Sequence, residues 1–220
     1  MRHLVRATVL LVVATVAACS PARPGATGPN SSRVAGPAPT SVVAAPTPAA
    51  AAADTDDLPS RVVIPALHID LPVVSGDFTV KGNPADYPLC DVAQYLTTYR
   101  FPGHDGFTTW IYGHAREGMF LPILDASTRN NGASLIGADV QVYSTALKRY
   151  TYRITGVRRH AVDRSIAAGV PAGERRLVLQ TSEGPHGTVP KLQVSADLVE
   201  TAAASGSDAV PTPQPRGCAG

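Results

Sequence analysis

The sequence predicts a mainly β domain, a barrel or sandwich of short strands, flanked by two unstructured segments. Three observations predict it. Between residues 60 and 200 the apolar residues fall in short runs rich in Val, Ile, Tyr and Thr, punctuated by Gly and Pro, the pattern of strands closing on one core. Only one stretch in that region has the spacing of a helix. On either side the chain is built from Pro, Ala, Ser, Thr and Gly with almost no large apolar residues, a composition that cannot bury a core.

The chain has 220 residues, with 20 Pro, 19 Gly and a formal net charge of +2. That charge is too small to argue for nucleic acid, and no basic cluster is interleaved with aromatics. Three cysteines are too few for a disulfide framework, so their positions say more than their number.

Arg2 and Arg6 make a short basic start, and Ala7 to Val16 is apolar apart from Thr8 and Thr15. A run of this length is a signal-peptide core, too short to span a bilayer as a mature helix. It ends in Val16-Ala17-Ala18-Cys19, which resembles a bacterial lipobox. Residues 1–19 are therefore expected to be a lipoprotein signal peptide, with Cys19 diacylated and first in the mature chain. Two acyl chains make a stable anchor where one does not. The chain is thus expected at the extracytoplasmic face of the membrane. Residues 20–59 read as a linker reaching roughly 35 Å as a flexible coil, and residues 201–220 read as a loose tail.

The domain itself, residues 60–200, is long enough for one modest core. Arg61 to Val74 is two short apolar runs broken at Pro65 and Pro72. Thr108 to Tyr112 is β-branched and aromatic. Met119 to about Arg129 is the helix, with Phe120, Ile123 and Leu124 on one face. Asp139 to Tyr143 and Tyr150 to Ile154 alternate apolar and polar residues across a short turn, as a hairpin does. Arg176 to Thr181 and Lys191 to Leu198 complete the set.

Three of these segments, in order, resemble the sortase family. Ile64-Pro65-Ala66-Leu67-His68-Ile69-Asp70-Leu71-Pro72-Val73-Val74 is similar to the family's first two strands. Trp110-Ile111-Tyr112-Gly113-His114 is similar to the strand that ends in the catalytic histidine. Val178-Leu179-Gln180-Thr181-Ser182 matches the strand T-L-x-T-C, whose last residue is the nucleophile. The next strand begins at Lys191, where sortases place a catalytic arginine. The resemblance implies a closed eight-stranded β-barrel with one or two short helices. It also implies recognition of a sorting-motif peptide such as Leu-Pro-x-Thr-Gly or a cell-wall component, and transfer of the acyl group through a covalent intermediate. By that match His114 is the acid/base, Ser182 occupies the nucleophile position and Lys191 is the electrophilic stabiliser. A monomer is expected, with no cofactor or metal.

Two of those three positions depart from the family, and the departures change the chemistry. A thiol ionises near neutral pH, whereas a serine hydroxyl needs a base to take its proton during attack. An ammonium lacks the bidentate fork of a guanidinium. Two enzymatic arrangements follow. His114 is the base, oriented by a carboxylate such as Glu117 or Glu183; or Lys191, with its pKa lowered by burial and by neighbouring positive charge, deprotonates Ser182 as a Ser-Lys pair. A third reading is a pseudo-enzyme that binds the peptide or wall component without turning it over.

The remaining chemistry-bearing residues point nowhere else. His104, His160 and His186 fall in no metal-ligand spacing. His186-Gly187-Thr188 matches a fragment of the L,D-transpeptidase signature, but no Ser-x-Gly-Cys follows. Cys90 lies upstream of His114 and reads as a buried thiol, a substitute nucleophile, or a disulfide partner for Cys218 in an oxidising exterior.

Overall fold

The computed structural model describes residues 57–85, 87–184 and 190–218. The signal peptide, Cys19, residues 20–56 of the linker, and His186 lie outside the described residues.

Eight strands close into one barrel. In chain order they are β1 (Pro59–Ile64), β2 (Ile69–Ser75), β3 (Ala93–Tyr95), β4 (Phe107–Tyr112), β5 (Asp139–Ser144), β6 (Lys148–Ala161), β7 (Arg175–Ser182) and β8 (Lys191–Ala203). Around the barrel the order is β1-β2-β3-β4-β7-β8-β6-β5, and β5 closes onto β1. Two pairings, β2 with β3 and β4 with β7, are parallel. Each spends a long crossover to bring non-neighbouring segments together.

Strand periodicity fills the interior. Val62 and Ile64, Leu177 and Leu179, and Val194 and Ala196 all point inward and are at most 1% exposed. The intervening residues face outward. The hairpin between β5 and β6 forms as its alternation predicts, and Leu147 turns it with φ of 55°. The helix α1 (Leu121–Thr128) accepts Pro122 in its first turn, where no intrahelical N–H is lost. Met119 and Phe120 precede it rather than belong to it, and both are buried together with Ile123.

Two expectations need correction, and one strand was not foreseen. Pro72 does not break a strand: it lies inside β2, on the last rung of its ladder with β1 opposite Arg61, where its missing N–H costs little. The short strand β3 gave no sequence signal at three residues. The segment after residue 200 is packed rather than loose. Strand β8 continues to Ala203 against β6. Ser205 then caps the one-turn helix α2 (Gly206–Ala209) by accepting from Asp208 N at 3.2 Å.

Beyond α2 the chain returns to the domain. Ser60 Oγ donates to Ala209 O, and Arg61 Nη1 donates to Asp208 O at 2.9 Å. Cys218 forms a disulfide with Cys90, 128 residues away. Beside it Arg216 pairs its backbone with Cys90, and its guanidinium with Asp91. This segment is held by backbone hydrogen bonds, a cap and a covalent bond. Little apolar burial is involved, so composition could not announce it. Cys90 is also removed as a nucleophile.

Loss of the disulfide frees a very long loop in the unfolded chain. Cys218→Ser should lower unfolding stability by about 2–5 kcal/mol, read as a fall in denaturation midpoint, with a steeper slope because the freed loop expands the unfolded chain.

Candidate functional site

The register of three strands assembles the site. In the parallel β4–β7 pair Tyr112 lies opposite Gln180, and in the antiparallel β7–β8 pair Ser182 lies opposite Lys191. The ends of β4 and β7 and the start of β8 therefore meet at one rim. Gly113 N donates to Gln180 O at 3.1 Å, and Thr181 Oγ1 donates to Gly113 O at 2.8 Å. These bonds carry the pairing one residue past β4, to Gly113, and so place His114 at the strand end. Since Ile111, Leu179 and Leu192 point into the core, Tyr112, Gln180, Ser182 and Lys191 face outward.

That outer face is the floor of a cleft of about 460 Å³. His114, Ser182 and Lys191 all line it, together with Gly76, Asp77, Tyr112 and Arg164. All three residues singled out from the sequence are thus in one place. Arg164, from the β6–β7 loop, and Tyr112 were not: Arg164 lies in no recognisable motif, and Tyr112 lies within the segment ending in His114 but was given no role there.

Ser182 and Lys191 touch. Lys191 Nζ donates to Ser182 Oγ at 2.9 Å. Both side chains are half-buried, and burial lowers the Lys191 pKa from its ordinary value.

His114 is held differently from expectation. Its Nε2 lies 2.6 Å from Pro88 O. A carbonyl can only accept, so Nε2 carries the proton and Nδ1 of the neutral ring carries the lone pair. Tyr87 packs on the ring at 4.9 Å between centroids. Phe120 closes behind the strand end: its N donates to His114 O at 2.9 Å, and its ring lies 3.3 Å from where a Cβ on Gly113 would sit. Burial pushes the His114 pKa down. The Pro88 hydrogen bond opposes this in part, and the charges of Arg116 and Lys191 push it further down. The imidazole is therefore neutral at neutral pH.

Neither proposed carboxylate orients it. Glu183 is 6% exposed and is taken by Arg159 Nε at 3.1 Å and by His160 Nδ1 and N, each at 2.8 Å. It ties the end of β7 to β6. Glu117 is exposed. Among the described residues His114 makes no hydrogen bond to Ser182. The orienting group is a backbone carbonyl, and no side-chain pattern can reveal one.

Because Lys191 disfavours the imidazolium, its removal should raise the His114 pKa. An NMR titration should place the wild-type midpoint below about 6.5 and move it upward in Lys191→Met.

The sortase-domain family model matches residues 62–204. Sortase C of Streptococcus pneumoniae shares 18% identity at a TM-score of 0.50, over 66% of this chain and 71% of that one. Sortase A of Listeria monocytogenes shares 18% at 0.49, over 71% of this chain and 99% of that one. Sortase C1 of Streptococcus suis shares 15% at 0.49, over 66% and 74%. No curated protein matches the sequence. With a family match across nearly all of a barrel whose rim unites His114, Ser182 and Lys191, the chain belongs to the sortase family, the family of cell-wall transpeptidases.

Proposed function

We propose that this chain is a serine-based acyl transferase or hydrolase acting on an extended sorting-type peptide at the cell wall. The observation that carries this reading is the 2.9 Å contact between Lys191 Nζ and Ser182 Oγ. A hydroxyl needs a base against it, and the group in contact is the lysine rather than the histidine.

In this mechanism the neutral amine of Lys191 takes the Ser182 proton as Oγ attacks the scissile carbonyl carbon. The resulting ammonium returns a proton to the departing amine, leaving an ester on Ser182. The unprotonated Nδ1 of His114 then takes a proton from the acceptor, an amine or water, as it attacks the ester. The acyl group leaves on the acceptor, Ser182 Oγ takes its proton back from solvent, and His114 releases to solvent the proton it took, so the site ends as it began. Burial of Lys191 supports its role, since it enlarges the neutral fraction at a given pH.

A second reading, a binding module without turnover, is favoured by one observation. The Nε2 of His114 is engaged by Pro88 O, which leaves the ring without a hydrogen bond to Ser182 among the described residues. The sequence adds the location: diacylation at Cys19 would hold the domain at the outer face of the membrane on its Pro-rich linker.

A fluorophosphonate or acyl probe separates the readings. Wild type should label at Ser182 and Ser182→Ala should not; labelling confined to Ser182→Cys would establish the binding module. Lys191→Arg should lose about 100- to 10,000-fold in labelling rate, the worth of a general base, because a guanidinium is not deprotonated. The wild-type rate should climb as pH rises through the lowered Lys191 pKa. Separately, Cys19→Ser should move the chain from the membrane fraction to the medium.

A further inference from the structure

The cleft holds a guanidinium that the reaction just described does not use. Arg164 sits in the β6–β7 loop and lines the same cleft as Ser182 and Lys191. Its surroundings are built. The preceding residue is fixed on both sides: Asp163 O accepts from Gln193 Nε2 at 2.8 Å, and the Asp163 carboxylate accepts from Arg158 at 2.7 and 3.0 Å and from Ser165 N at 2.9 Å. The Arg164 guanidinium then lies over the Trp110 ring, 5.7 Å from its centroid, with Tyr99 against the same indole at 5.1 Å. Stacking on an aromatic face orients a guanidinium while leaving its N–H edge open.

What it lacks is an acid. Arginines on the barrel wall have carboxylate partners, as Arg153 does in Asp139, Arg175 in Asp105 and Arg176 in Asp197. Arg164 follows an aspartate in the chain, yet that aspartate is turned to Arg158. Among the described residues no carboxylate pairs with Arg164. The cleft as a whole is cationic: Lys191 and Arg164 face one described carboxylate, the exposed Asp77. At Thr98 it adjoins a second groove of about 330 Å³, where Arg100 lies over Phe107. An oriented guanidinium with no acid of its own is suited to a planar anion, and a carboxylate matches its fork.

We propose that Arg164 is the anion-recognition residue of the cleft, and that the peptide bound there carries a carboxylate within reach of Ser182. This rests on the reading of the cleft as a site for an extended peptide, but not on turnover. The carboxylate is either an Asp or Glu side chain or the free end of the peptide.

The experiment uses the Ser182→Ala protein, which binds without reacting, and three Trp-free hexapeptide pools. One is amidated and contains Glu; one is amidated with Gln in its place; the third has Gln and a free C-terminal carboxylate. Trp110 is the chain's one tryptophan, so its fluorescence reports events at Arg164, and the NMR shift of the backbone amide at position 182 provides a second readout. A carboxylate pool should bind about tenfold tighter than the neutral pool, equivalent to about 1.4 kcal/mol. Preference for the Glu pool identifies a side chain, and preference for the third pool identifies a chain end. Adding Arg164→Gln should abolish the preference, and adding Arg164→Lys should keep part of it. Equal binding of all pools, no binding of any, or a preference that survives Arg164→Gln would overturn the proposal. If the preference is found while wild type resists the phosphonate probe, the catalytic reading alone falls. Labelling of wild type without any preference removes Arg164 alone.

Discussion

The site depends on the register with which β7 is clamped between β4 and β8. Side chains on a strand alternate, so a slip of one residue would turn Ser182 into the barrel and Leu179 out to solvent. Leu177, Leu179, Leu192 and Val194 are all at most 1% exposed, and burial of each contributes about 1.5–3 kcal/mol. Any slip forfeits several of these at once. The apolar face therefore decides where the polar face lies, and the chemistry at the rim inherits its precision from packing on the other side of the same strands.

Electrostatics at the rim follow from burial and like charge. A carboxylate beside His114 would raise its pKa and favour the imidazolium. The Pro88 carbonyl fixes the tautomer without adding a charge, while Lys191 and Arg116 act against protonation. The imidazole of His114 is thus kept neutral, with its lone pair on Nδ1. The group in contact with the Ser182 hydroxyl is the lysine. Glu183, one of the two acids expected to orient the imidazole, instead secures the strand end that carries Ser182 by tying it to Arg159 and His160. An ion pair with one partner nearly buried is a structural brace, because removing either group would strand the other's charge.

The C-terminal segment reaches the same site from outside the barrel. Cys218 is joined to Cys90, two residues from the carbonyl that holds His114. Cys218 N also bonds Asn83 Oδ1, and Asn83 Nδ2 donates to Tyr87 O at 2.6 Å. Tyr87 is the ring packed on His114. A segment that buries little apolar surface thereby braces the loop around the imidazole.

Sequence alone determined the class of fold, the strand-rich domain near residues 60–200, the hairpin, the helix and the three positions His114, Ser182 and Lys191. Each of these is written in local periodicity or in a short motif. Tertiary structure decided the rest because the deciding groups are not local. The parallel pairing of β4 with β7 joins segments about 70 residues apart. The three-residue β3 exists only because β2 and β4 bracket it. Main-chain atoms and a disulfide anchor the segment after residue 200, and a main-chain carbonyl orients His114. Arg164 enters the cleft through the placement of a loop, and Lys191 meets Ser182 because two strands pair in one register. Periodicity specifies which way a side chain faces along its own strand; closure of the barrel specifies what it faces.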